Sequence, residues 1–420
     1  MRSFRFVHAA DIHLDSPLKG LAGLEGSAVE AIQSATRSAL EALVSRTIEE
    51  EAAFLVIAGD LYDGNWRDYQ TGLFFVGQMG LLRKAGIPVF LVQGNHDAQS
   101  VITRRLSLPE NVTMFSHKQP ETVQIKELGV ALHGQSFAQR DVSENLARRY
   151  PEPVPDALNI GILHTGLGGE EGHQNYAPCT LSELTSKGYD YWALGHVHHA
   201  SVRHERPYVV YSGNIQGRHI KETGPKGAVL VTVEDGEITE LVPFHIDVVR
   251  WTMVEVSARG CETRQDISQR IRDAVEGAVA ERSDGRLLAC RIQITGRTRI
   301  HDEILGHQEW LLAESRAAAQ GLGEEQAWVE RVVTATAPDL GAGTDPVLED
   351  ALGDLADALE DHSLQDQVKR DIGALVSALP PEVRDQAEDP LLGAAAERDY
   401  ARVIELAGPF ARARLAGDED

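Results

Sequence analysis

An α/β layered fold is predicted for residues 1–245, on three observations. Short apolar runs recur along this stretch, each is followed by Gly, Asp, Asn or His, and longer helix-like segments separate them. The runs are Phe4–Ala9, Phe54–Ala58, Val89–Val92, Ile160–Leu163 and Tyr191–Leu194, each too short for a helix of ordinary length. Ser27–Glu51 and Gln70–Lys84 read as the principal helices between them. Gly227–Phe244 is expected to form a hairpin, because Asp235-Gly236 is a strong two-residue turn signal.

A second unit, residues 246–340, reads as a small α/β domain. Trp251–Val256, Leu287–Thr295 and Ala327–Thr336 are its expected strands, and Arg264–Ala280 is its expected helix. Residues 341–420 read as a helical, acidic C-terminal segment broken at Pro380-Pro381. Leu352, Leu355 and Leu359 mark an apolar stripe there, read as local core with partner docking as the alternative.

The 420-residue chain has ordinary composition, 42% hydrophobic and 25% charged, and ample length for a buried core. The opening MRSFRFVHAADIHLD lacks the features of a secretory signal, and no apolar run is long enough to cross a bilayer. Cys179, Cys261 and Cys290 are far apart and form neither a zinc spacing nor a disulfide framework, so a cytoplasmic location is expected. Net charge is −24. Residues 1–250 carry 30 acids against 22 bases and residues 251–420 carry 34 against 18, so most of the excess lies in the second part. That balance counts against unaided binding of duplex DNA and leaves room for a partner that grips it.

Five short motifs stand at the ends of the expected strands: Asp11-Ile-His13, Gly59-Asp60, Gly94-Asn-His-Asp97, His164 and Gly195-His-Val-His198. Strand ends are where α/β folds gather ligand groups. Carboxylate, imidazole and amide oxygen suit Mn, Fe or Zn, and thiolates are absent from the set. Asp11 and His13 are two apart, as are His196 and His198, and residues so spaced in extended backbone point to one side. His8 and His133 read as structural groups, while His173, His199 and His204 have no defensible partner spacing.

The ordered series D-x-H, G-D, G-N-H-D, H, G-H-x-H resembles the signature of the calcineurin-like metallophosphoesterases, complete across residues 11–198. The resemblance implies a four-layer α/β/β/α sandwich over residues 1–245, with residues 246–340 as a capping domain. It implies one divalent metal held by Asp11, His13, Asp60 and His198. A second would be held by Asp60, Asn95, His164 and His196, with Asp60 shared. His96 would be the catalytic imidazole, held in place by Asp97. Two cations would acidify the attacking water, and His96 would protonate or stabilise the leaving oxygen.

Three further segments are similar to DNA-repair exonucleases of the bacterial SbcD/YhaO type: HAADIHLDSPLKG, GDLYD with GNHD, and Tyr211-Ser-Gly-Asn-Ile-Gln-Gly-Arg-His219 followed by Glu222. This resemblance implies a metal-dependent exonuclease, with possible endonuclease action, most consistent with Mn and with Fe or Zn as alternatives. It also implies a large coiled-coil ATPase partner, docked through the C-terminal segment, and a homodimer. Arg218 and His219 are candidate contacts to a DNA phosphate, against the alternative that Arg218 pairs with Glu222. Asp15, Ser16 and Lys19 follow the first motif closely enough to support the metal site or touch substrate. Two other readings stay open: a small-molecule phosphodiesterase or nucleotidase with the same metals, and a non-catalytic scaffold subunit.

Overall fold

The computed structural model describes residues 3–16, 26–63, 69–99, 107–168, 176–323, 325–339, 362–378, 390–400, 402–403 and 405–408. The expected runs become β1 (Phe4–Ala9), β2 (Phe54–Ala58) and β3 (Val89–Val92), followed by β4 (Val112–Met114), β5 (Glu121–Ile125) and β6 (Val130–Gly134). After these come β7 (Leu158–His164), β8 (Tyr191–Gly195), β9 (Ser201–Glu205), β10 (Tyr208–Tyr211), β11 (Gly227–Glu234) and β12 (Glu237–His245). They form two six-stranded sheets, ordered β12-β11-β1-β2-β3-β4 and β5-β6-β7-β8-β10-β9. Strands β1 to β4 pair in parallel, as do β6, β7, β8 and β10, so both runs of parallel strands bring their C-terminal ends to one edge of their sheet.

Alternation along the strands sets the layers. In β2, Leu55 and Ile57 face α1 (Ser27–Glu49) and α2 (Tyr69–Lys84), packing with Leu40, Leu43, Phe75 and Met79. Phe54, Val56 and Ala58 face the other way and pack between the sheets with Ile160, Ile162 and Ala193. On the far face of the second sheet, Leu163, Trp192 and Leu194 pack under α3 (Leu181–Thr185) and the one-turn helix Leu146–Arg149. The expected α/β/β/α order is therefore present, with a thin outermost layer. The β11–β12 hairpin turns at Asp235-Gly236, both with positive φ (51° and 88°), as a type I′ turn requires.

This first unit comprises Met1–Thr252 with Arg282–Ala289 and Glu324–Gln326. A second unit takes in Met253–Glu281, Cys290–Gly323 and Ala327–Asp420. A third sheet, ordered β13 (Val249–Ser257), β14 (Leu287–Thr298), β15 (Ala327–Pro338), carries its α/β part. Its helices are α4 (Arg264–Arg282), α5 (His301–Gly306) and α6 (Gln308–Leu322). Toward the C-terminus, α7 (His362–Ala378) and α8 (Pro390–Glu397) share a small cluster of Val376, Ala394, Ala395 and Val403. The Leu352, Leu355 and Leu359 stripe lies outside the described residues, as do Lys19 and His173.

Candidate metal centre

The loops after β1 and β2 run side by side as a hydrogen-bonded ribbon. Asp11 N donates to Gly59 O (3.0 Å), His13 N to Asp60 O (3.0 Å) and Leu14 N to Leu61 O (2.9 Å). The expectation that Asp11 and His13 converge through strand alternation needs correcting. Both have left-handed backbone (φ 50° and 46°), as does Asp60 (φ 51°), and His196 has φ 99°. Such residues cost roughly 1–3 kcal/mol each and persist where surrounding bonds over-determine them. The ribbon bonds hold the first three, and two bonds of 3.0 Å from His196 N to the Asp11 carboxylate hold the fourth.

Asp60 lies at the centre of the donors. Its Oδ2 is 3.8 Å from His13 Nε2 and 3.4 Å from His164 Nε2, so one carboxylate oxygen faces both histidines. His13 Nε2 and His198 Nε2 are 3.2 Å apart, and His164 Nε2 is 3.0 Å from Asn95 Oδ1. Ligating atoms of three groups converge: Asp11, His13 and His198; His13, Asp60 and His96; Asp11, Asp60 and His164. His196 is placed beside them, its ring 5.3 Å from that of His164, but its ring nitrogens fall outside the three groups. Glycine is required at motif positions by close approach. A Cβ on Gly94 would overlap the Asp60 carboxylate, and one on Gly195 would overlap Ala58 O.

The donor chemistry fits divalent cations. His164 Nδ1–H donates to Ala58 O (2.9 Å), so in the neutral ring Nε2 carries a lone pair. That lone pair, Asp60 Oδ2 and Asn95 Oδ1 are three acceptors turned on one another with no donor among them in the neutral ring. His198 Nδ1–H donates to Glu222 Oε1 (2.6 Å), which likewise turns its Nε2 lone pair toward His13. Acceptors gathered in a buried site call for a cation or a proton between them.

A family model described as calcineurin-like phosphoesterase matches residues 4–200, and one described as metallophosphoesterase YhaO, middle domain, matches residues 251–337. A Bacillus subtilis (strain 168) protein named as an uncharacterized metallophosphoesterase YhaO is 34% identical over 336 residues, covering 78% of this chain and 79% of that protein. The chain belongs to the YhaO family of calcineurin-like metallophosphoesterases. Among solved structures, a dimetal phosphatase from Danio rerio matches at 12% identity and a TM-score of 0.35, over 59% of this chain and 100% of that one. Membership of the YhaO family makes the chain a phosphoester hydrolase of a kind that uses divalent metals.

Electrostatics at the centre of this YhaO-family protein follow from burial set against neighbouring charge. Burial would raise the Asp60 carboxyl, but His164, His13 and His96 outweigh it and hold it well below the usual range. Burial acts against a charged His164, yet Asp60 and Asp11 push it up to about 9 in the absence of metal. Burial, with Arg218 nearby, holds His13 well below its ordinary value. Asp11 is raised by burial, against the pull of His198 and His164.

The expected partnership of His96 with Asp97 is replaced by another. His96 Nδ1 is 2.6 Å from Asp63 Oδ1, and Asp63 Oδ2 accepts Ser16 Oγ–H at 2.5 Å. Asp97 turns back into the protein, where its carboxylate accepts backbone N–H groups of Tyr62 (2.8 Å), Gly94 (3.0 Å) and Leu61 (3.1 Å). The reason is geometric: Asp97 opens a 3₁₀ turn and serves as the tie between the Gly59-Asp60 and Gly94-Asn95 loops. Burial opposes a charged His96, but Asp63 and Asp60 raise its pKa overall. Asp63 was legible only as the last residue of GDLYD.

Arg218 reaches the site but is already engaged. Its Nη2 donates to Glu222 Oε1 (2.9 Å), and its Nη1 lies 3.6 Å from Asp63 Oδ2. His219 is on the outside, half-exposed, with Nε2 3.7 Å from Glu222 Oε1. Asp15 is held by both Arg37 (2.7 and 2.6 Å) and Thr71 (2.6 Å), anchoring the first loop to α1 and α2. His133 is bonded by Thr122 and Asn159, as a structural group, and His8 by Tyr191. Cys179 is buried, and burial pushes its thiol up to about 11.

Proposed function

We propose that this metallophosphoesterase is a two-metal DNA nuclease, an exonuclease that hydrolyses phosphodiester bonds in DNA repair. The observation that carries the two-metal hydrolytic part of this reading is the placement of His96, part-exposed and bonded to Asp63, beside a donor set that is otherwise largely buried. Asp11, His13, Asp60 and His198 would hold one divalent ion, and Asp60, Asn95 and His164, with His196 beside them, the other. When bound, the cations withdraw charge from the phosphate oxygens and acidify the attacking water. Because Nδ1–H of His96 is committed to Asp63, Nε2 is the atom that donates a proton to the leaving oxygen. Mn is the ion proposed, and Fe or Zn suit the same donors.

DNA as substrate rests on the resemblance of HAADIHLDSPLKG, GDLYD and YSGNIQGRH to the SbcD/YhaO exonucleases. A coiled-coil ATPase partner, a homodimer and a cytoplasmic setting belong to the same reading. With a net charge of −24, the grip on DNA would fall to the partner. Among the described residues, no helix is long and apolar enough to cross a membrane. A second reading, hydrolysis of small phosphodiesters, is favoured by that acidity and by Arg218 being bound to Glu222. The full chain with Mn²⁺ should shorten end-labelled single- or double-stranded oligonucleotides. Turnover of mononucleotide esters with no cleavage of DNA, even with the ATPase present, would establish the second reading instead.

A further inference from the structure

We infer that Glu222 and Arg218 are positioning residues of the metal centre, with Arg218 a strut between the carboxylate that aims His198 and the carboxylate that aims His96. The inference rests on the two-metal reading above. It assigns Arg218 to the machinery that holds the site, in place of a contact to substrate phosphate.

Glu222 is fixed on both oxygens. Oε1 accepts His198 Nδ1–H (2.6 Å) and Arg218 Nη2 (2.9 Å); Oε2 accepts Arg218 N (2.8 Å) and Asn214 Nδ2 (3.0 Å). Its side chain is only 6% exposed, so these bonds are not shared with bulk water. A carboxylate anchored in this way sets the tautomer and the ring plane of His198, leaving Nε2 for a cation. Gly217 is pressed against Glu222 O, where a Cβ would collide, so the loop that presents Glu222 is itself tightly folded.

Arg218 continues the chain of contacts. One end of its guanidinium is on Glu222; the other, Nη1, is 3.6 Å from Asp63 Oδ2 and 3.5 Å from Ser16 Oγ. Asp63 in turn holds His96. His198, Glu222, Arg218, Asp63 and His96 thus form one continuous line from a metal-ligand candidate to the catalytic imidazole. The guanidinium lies between two anions and is 12% exposed, so its charge is largely compensated before substrate arrives. Its planar fork spans both partners, which a lysine ammonium, as a compact point charge, cannot do.

The test uses full-length wild type, Glu222→Gln, Arg218→Ala and Arg218→Lys, with thermal melts to establish folding. Mn²⁺ is titrated calorimetrically into metal-stripped protein, and kcat and KM are measured on an oligonucleotide and on bis-p-nitrophenyl phosphate. Glu222→Gln, which keeps the shape of the side chain, should weaken one of two Mn²⁺ sites by roughly 10- to 100-fold. Arg218→Ala should lower kcat and weaken Mn²⁺ binding with KM nearly unchanged, and lysine should not restore it. Wild-type Mn²⁺ affinity in Glu222→Gln overturns the inference, as does an Arg218→Ala variant altered only in KM. A wild type that binds no Mn²⁺ would instead remove the two-metal reading beneath it.

Discussion

Asp63 Oδ1 stands 2.6 Å from His96 Nδ1, and this bond joins the loop after β2 to the loop after β3. Asp63 and Asp60 raise the His96 pKa against the effect of burial. A histidine acting as general acid works below its pKa, so removing Asp63 must narrow the active range from the alkaline side. In Asp63→Asn the alkaline limb of kcat/KM should move to lower pH. The loss of rate should not exceed the roughly 10²–10⁴ that a general acid contributes in total. A full pH–rate profile of both proteins checks this, and an unmoved alkaline limb would mean that Asp63 does not charge His96.

Asp97 should behave differently, because its carboxylate bonds three backbone N–H groups and not the imidazole. Asp97→Ala leaves those buried donors unpaired, at about 1–3 kcal/mol for each group. Denaturant unfolding should show a loss of several kcal/mol, about 1–3 for each of the three donors, with the pH limb assigned to His96 in its wild-type place in whatever activity survives. A stable Asp97→Ala protein with a shifted limb would restore Asp97 as the partner of His96.

Gly94→Ala and Gly195→Ala place a methyl group against the Asp60 carboxylate and Ala58 O respectively. Overpacking of this kind costs about 1–3 kcal/mol. In Gly94→Ala it also displaces Asp60, which faces both His13 and His164, and in Gly195→Ala it presses on the Ala58 O that accepts His164 Nδ1–H, so Mn²⁺ binding should fall more than stability does. Calorimetric titration beside thermal melts measures the two effects separately.

In the metal-free protein His164 is pushed up to about 9, against burial, by Asp60 and Asp11. It therefore carries a proton at neutral pH that a cation must displace, and metal affinity should weaken as pH falls. Between pH 6 and 8 the dependence from this group alone approaches about tenfold per pH unit. Titration of Mn²⁺ in buffers of different ionisation enthalpy would reveal the released proton. Affinity independent of pH over this range would show that His164 is neutral before metal binds.

Much of the centre was legible because ligand chemistry demands particular residue types, and Asp11, His13, Asp60, Asn95, His164 and His198 come together as those types suggest. What escaped was pairing. Asp97 adjoins His96 in sequence, but the 3₁₀ turn at Asp97–Gln99 sends its carboxylate inward, and Asp63 reaches the imidazole from another loop. The alternation argument for Asp11 and His13 failed because hydrogen bonds to the neighbouring loop force left-handed backbone at both. In the fold, buried parallel strands such as Phe54–Ala58 announce themselves by unbroken apolar runs. Edge strands such as Glu121–Ile125 and Ser201–Glu205 are half polar and mostly solvent-facing, so nothing in their composition separates them from loops.

The most direct measurement compares wild type with His96→Ala on two substrates, DNA and bis-p-nitrophenyl phosphate, with Mn²⁺ affinity determined for both proteins. The p-nitrophenolate group leaves readily without a proton, whereas the sugar alkoxide of DNA needs one. His96→Ala should therefore bind Mn²⁺ as wild type does, lose roughly 10²–10⁴ in DNA cleavage and lose far less on the activated ester. Equal losses on both substrates, or DNA cleavage that survives the substitution, would mean that His96 does not protonate the leaving oxygen and that the centre works in another way.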